Sequence, residues 1–192
     1  MKLDFAVFST GTFYSKIGDS PNNWKVKQKK SHLDLFLQHN LPWNISSVLW
    51  KKSSILKLGG FDESYQRLQD VELHTRALIH GFKYEVCNKK TSIDFYYRIA
   101  LERSVNIHSE KELNQKFLNA STDYLQKINN ELSLNPSMYR QYGKYLKGTY
   151  FECFNRVLTA SFRLAKVDKK EALIKAKDGA ISADMAYEAM NN

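Results

Sequence analysis

The alternation of apolar and polar residues changes character near Arg103. Before that point apolar residues come in short runs bounded by turn formers, the pattern of strands and short helices in a mixed α/β fold. LDFAVFST, Leu3 to Thr10, is an apolar and aromatic run that suits a buried strand. The turn-rich KIGDSPNNWK follows, and Ser31 is placed to cap a short helix through Leu33, Phe36 and Leu37. NISSVLWK, Asn44 to Lys51, reads as the next strand, and SSILKL as one or two helical turns stopped by Gly59 and Gly60. From Leu68 the pattern is helical, with Leu68, Val71, Ala77 and Leu78 near one face, and Gly81 closes it. FKYEV and SIDFYYR are the last short strands.

Beyond Arg103 the period is helical throughout. Ser109 and Glu112 have the spacing of a capping box, and Leu113, Phe117, Tyr124, Leu125, Ile128 and Leu132 trace an apolar stripe after it. Asn135-Pro136 sets an N-cap with proline at the first helical position, opening a long aromatic helix towards Val167. Asp168 and Glu171 repeat the box ahead of an Ala-rich helix that reaches about Met190. The expected organisation is therefore an α/β region over residues 1–103 and an all-α region over residues 104–192.

Composition narrows the function classes. At 192 residues, with 43% hydrophobic and 13% aromatic residues, the chain can bury a real core. Its net charge of +9 favours an anionic partner, although solubility alone accounts for it equally well. Cys87 and Cys153 form no CxxC, so neither a disulfide framework nor a zinc site is indicated, and a reducing cytosolic setting fits best. No apolar segment has the length of a membrane span. The Lys-rich stretch from Arg163 to Lys177 suits either a solvated helix face or peripheral contact with an anionic inner leaflet.

The densest chemistry lies in GGFDESYQRLQDVE, Gly59 to Glu72. Asp62 and Glu63 follow the Gly-Gly turn, while Asp70 and Glu72 fall in the first turn of the next helix. Local physics already favours carboxylates at both places, because a helix N-terminus carries partial positive charge. On that reading Asp70 complements the dipole, Glu72 is solvated, and Asp62 and Glu63 hold the turn. Trp43, just before NISSVL, suits either the core or a sugar-stacking platform.

GGFDE, a short loop, and then QDVELHTRALIHGFKYEV resemble the C-terminal half of the catalytic domain in family two glycosyltransferases, the inverting nucleotide-sugar enzymes of the GT-A fold. PWNISSVLWKK resembles that family's acceptor-side strand and DFYYRIALERSVN its closing Tyr-Arg segment, so the resemblance covers about Leu3 to Ile107. It implies that Asp70 is the general base for the acceptor hydroxyl. It also implies that Asp62 and Glu63 bind acceptor hydroxyls; Trp43 joins them as an acceptor-side candidate on its aromatic face alone. Gln69 stands where many members carry Glu, which leaves Asp70 alone, and Ala100 replaces a histidine that many members place near the metal.

No Asp-x-Asp occurs in the chain, nor a glycine-rich phosphate loop. The resemblance therefore implies a glycosyltransferase fragment holding the acceptor-binding and base half. A divalent metal, Mn or Mg, is expected only together with a nucleotide-binding half, and the isolated chain is expected not to turn over a nucleotide sugar. The implied partners are a nucleotide-sugar donor and a glycan or lipid-linked acceptor, with no nucleic acid, and self-association through sheet surface beside LDFAVFS. The alternative is a non-catalytic helical and basic interaction module derived from such an enzyme.

Overall fold

A computed structural model describes residues 2–20, 23–24, 26, 28–87, 93, 95–99, 107–152 and 155. Within the long helix that begins at Ile107, side chains are described at 112, 116 and 117 and from 119 onward. The second capping box, the Ala-rich helix, Cys153, Ala100 and the Lys-rich stretch lie outside the described residues.

The run read as one strand is two. β1 (Phe5–Phe8) and β2 (Thr10–Phe13) are separated at Ser9 and belong to different three-stranded sheets. β1 is central in the first, antiparallel to β4 (Val48–Trp50) and parallel to β5 (Tyr84–Cys87). β2 is central in the second, antiparallel to β3 (Asn23–Trp24) and parallel to β6 (Phe95–Arg98). Alternation explains β1: Phe5 and Val7 point inward at 2% and 0% exposure. Gly11 in β2 is a packing requirement, since a Cβ there would come within 2.9 Å of the Tyr96 ring and of Ile93 Cγ2.

Three helices accompany the sheets: α1 (Leu33–Leu37), α2 (Lys52–Leu58) and α3 (Gln69–Ile79). Ile45–Ser47, expected to be extended, instead form a 3-10 turn capped by the Asn44 side chain, which accepts from Ser47 N–H at 3.1 Å. The core between these elements is aromatic. Phe5 stacks on Tyr84 at 5.0 Å and lies 4.5 Å from Trp50, and Trp43 sets its edge against Phe36 at 4.9 Å.

The helical region follows as α4 (Ile107–Ser133), α5 (Pro136–Tyr142), a 3-10 turn at Gly143–Tyr145 and a helical stretch over 146–152. The chain thus has the expected class, mixed α/β followed by helices. Ser109 is not an N-cap, because α4 starts two residues earlier. Glu112 accordingly pairs along the helix with Lys116 at 2.6 Å instead of reaching back. Asn135 does cap α5, its Oδ1 accepting from the N–H groups of Ser137 and Met138. The aromatic helix expected to run on unbroken is interrupted at Gly143, where a poor helix former admits the tighter turn.

Tyr124, Leu125, Ile128 and Leu132 of α4 are all at 1% exposure or less and join the same buried cluster as β1 and α3. Burial of each such side chain contributes roughly 1.5–3 kcal/mol, enough to hold α4 where propensity alone would not. The seam is also polar: Thr75 Oγ1 lies 2.9 Å from the Tyr124 hydroxyl. The 146–152 stretch docks on α1 through Thr149 Oγ1, which donates to the Leu37 carbonyl at 3.0 Å.

Candidate functional site

The connection between α2 and α3 carries the acidic motif. α2 closes in a Schellman pattern, the Gly60 N–H reaching Ile55 O at 2.9 Å and the Gly59 N–H reaching Leu56 O at 3.1 Å. Both glycines have left-handed backbone, φ 93° and 71°, which explains the pair at this turn. Leu68 is also left-handed, at φ 65°, and is buried. That conformation costs a non-glycine residue about 1–2 kcal/mol and turns the chain abruptly into α3.

Three acids, two in this connection and one in the first turn of α3, have distinct surroundings. Asp62 Oδ1 accepts from the Ser64 N–H at 3.0 Å and the Ser64 hydroxyl at 2.6 Å, while Oδ2 is paired with Lys127 of α4. The Lys127 ammonium, followed by Ser64, holds the Asp62 carboxyl well below the usual carboxylate range. Glu63 is exposed. Asp70 sits half-buried in the first turn of α3, and among the described residues its carboxylate has neither an ion-pair nor a hydrogen-bond partner.

Glu72, two residues on, is the opposite of solvated. It is at 0% exposure and accepts a two-pronged contact from Arg76, Nε to Oε1 at 2.6 Å and Nη2 to Oε2 at 3.0 Å. The same guanidinium donates to the carbonyls of Leu58 and Gly60, the latter at 2.7 Å. Lys127 Nζ is 3.5 Å from Glu72 Oε1, so Glu72 and Asp62 share its charge. Two acids are thereby matched by two bases, and α2, α3 and α4 are tied together under the loop. Tyr65 closes the cluster at 5% exposure with Lys127 Nζ 5.6 Å from its ring centroid. Burial, reinforced by Glu72 and Asp62, pushes its phenol above the usual range.

His74, on the buried side of α3, stacks on Trp50 at 6.1 Å and 7° between planes. Neither ring nitrogen has a hydrogen-bond partner among the described residues. Burial lowers its pKa to about 3, and the opposing pull of the Asp70 carbonyl is too weak to offset it. Trp43 is at 2% exposure with its ring against Phe36 and His32. It occupies its core reading and presents no face to a ligand.

The loop and α4 enclose a polar hollow of about 160 Å³ lined by Ser64, Gln66, Lys116, Asn119, Ala120 and Asp123. Hydroxyl, amide, ammonium and carboxylate groups there match the donors and acceptors of a small polyhydroxyl ligand. Asp62 and Glu63 thus lie in the connection and Asp70 in the first turn of α3, none of the three lining the hollow, and the α4 wall is one that the motif alone did not reveal. Arg76 carried a local signal, standing four residues after Glu72. Lys127 and the α4 lining carried none, because they enter from a distant segment. Among the described residues no three His, Cys, Asp or Glu side chains form a set that could hold a metal ion. Among the described residues no helix is long and apolar enough to cross a membrane. No family model, no curated protein and no solved structure matches the chain.

Proposed function

We propose that the chain carries the acceptor-binding and catalytic-base half of a GT-A-like inverting glycosyltransferase, with Asp70 as the base. The division of labour among the acids supports the reading. Glu72 and Asp62 are consumed by Arg76, Lys127 and Ser64, whereas the Asp70 carboxylate is unpaired among the described residues and lies in the first turn of α3, whose N-terminal charge complements it. In the reaction the acceptor hydroxyl oxygen attacks the anomeric carbon, the bond to the nucleoside diphosphate breaks with its electron pair, and Asp70 collects the hydroxyl proton. Ser64, Gln66 and Asp123 in the hollow offer polar partners to the hydroxyls of an acceptor sugar, although Asp70 does not line it.

Two measurements test this. Saturation-transfer NMR of the full chain with methyl hexosides should show binding that weakens in Asp123→Ala and Gln66→Ala. In an enzyme that also has its nucleotide-binding half, Asp70→Asn should lower turnover about 100-fold or more with donor affinity nearly unchanged. Near-normal turnover in that variant would remove Asp70 from the mechanism.

A second reading, a non-catalytic interaction module, draws support from the absence of Asp-x-Asp in the sequence and from the engagement of Asp62 by Lys127. Lack of any hexoside binding at the hollow would favour it.

A further inference from the structure

The described residues hold a second cleft that shares no residue with the hollow at the acidic loop. It has a volume of about 400 Å³, within the range of small-molecule sites. One wall is the entry to α1, with Lys29, Lys30, Ser31 and Asp34; the other is the end of α5 and the turn after it, with Gln141, Tyr142 and Tyr145. The helical region therefore completes a site that the α/β region only half supplies.

Its walls are held in place from behind. Thr149 bonds the Leu37 carbonyl, and Gly148 lies so close to α1 that a Cβ would stand 2.5 Å from Gln38 Cα. The Tyr84 hydroxyl is 2.7 Å from His32 Nδ1. Burial, with added opposition from Asp34 and Tyr142, pushes that phenol up to about 12, so it stays protonated beneath both walls.

We propose that this cleft binds an anionic saccharide, a pyranose bearing a carboxylate or a phosphate. The Tyr142 and Tyr145 rings lie 6.4 Å apart at 49°, a bent wall and not a parallel slot. A flat base cannot be sandwiched by such a pair, whereas the C–H face of a puckered ring packs against negative π faces. Gln141, the Ser31 hydroxyl and Asp34 offer donors and acceptors for sugar hydroxyls. Charge decides the rest. Lys29 is paired with Asp34 at 2.7 Å, while Lys30 has no ion-pair partner among the described residues. Lys144, outside the lining, lies 5.2 Å from the Tyr145 centroid. The local excess is positive and fits one anionic substituent. This inference goes beyond the transfer reading and stands without it, since binding here needs no catalysis.

Calorimetric titration of the full chain at physiological salt, with glucuronate, glucose 6-phosphate, glucose, inorganic phosphate and uridine diphosphate, tests it. At least one acidic sugar should bind saturably, and the comparison of glucuronate with glucose 6-phosphate tells carboxylate from phosphate. Glucose and phosphate should each bind about tenfold more weakly, because each lacks half of the recognition. Tyr142→Ala combined with Tyr145→Ala should cost about tenfold, and Lys30→Gln about threefold. Lys30 is exposed, so its variant stays informative even where the double alanine variant fails to fold. Absence of saturable binding by both acidic sugars would overturn the proposal. So would phosphate or uridine diphosphate binding as tightly as the better of them, or an unchanged affinity in Lys30→Gln.

Discussion

Replacing Arg76 by methionine keeps most of the side-chain volume and removes the fork that holds Glu72. Glu72 remains at 0% exposure, with Lys127 at 3.5 Å as its remaining cation, and the Leu58 and Gly60 carbonyls lose their donor. Breaking a buried pair from one side costs about 3–5 kcal/mol, a large part of the roughly 5–15 kcal/mol by which such a domain is stable. Glu72→Leu should cost less, since the Arg76 side chain is 12% exposed and keeps its two carbonyls. The double variant removes both charges and should be less destabilised than the sum of the singles by about 2–3 kcal/mol. Urea unfolding followed by tryptophan fluorescence measures all four corners of the cycle, with an unchanged m-value as the check on two-state behaviour. Strict additivity, or an Arg76→Met cost below about 1 kcal/mol, would mean that the pair behaves as a surface ion pair and does not clamp the loop.

His74 gives a pH signature. Its imidazole titrates near 6.5 when unfolded and near 3 when folded, so between those values the unfolded chain binds more protons. Stability is therefore full above about pH 6.5 and falls by about 1.4 kcal/mol per unit as pH drops. Urea midpoints of His74→Leu at pH 7, 6 and 5 should lose that slope; a slope equal to the parent's would acquit His74. The Asp62 contribution is lost only as pH falls below the ordinary carboxylate range, outside the upper part of this window. Gly148→Ala should lower stability by about 1–3 kcal/mol, because the new Cβ meets backbone of Gln38. A melting temperature that is unchanged or raised, as helix propensity alone would give, counts against the docked arrangement. Limited proteolysis should leave residues 120–132 uncut in the folded chain, and early cleavage there would show that α4 does not pack as described.

Local chemistry was legible wherever a rule acts within a few residues. Asn135-Pro136 specifies a cap whatever it packs against, and the Gly59–Gly60 stop needs only the conformational freedom of glycine. The pattern also separates an α/β region from a helical one, since apolar spacing reports which face will be buried. It does not report against what. Leu3 to Thr10 looks like one strand because nothing local marks Ser9 as the point where the chain leaves one sheet for another; the partners β4, β5, β3 and β6 impose that break. Glu72 reads as solvated beside Asp70 because both are carboxylates in one first turn. Their fates diverge because successive positions on a helix turn about 100° apart, so two residues on, Glu72 faces Arg76 and α4 while Asp70 does not. Lys127 stands 55 positions after Glu72, and only the docking of Tyr124, Leu125 and Ile128 into the core sets its ammonium between Glu72 and Asp62. The motif by itself determined which groups can accept a proton; tertiary packing decided which of them are already neutralised, because burial and ion pairing depend on neighbours that the chain brings in from far away.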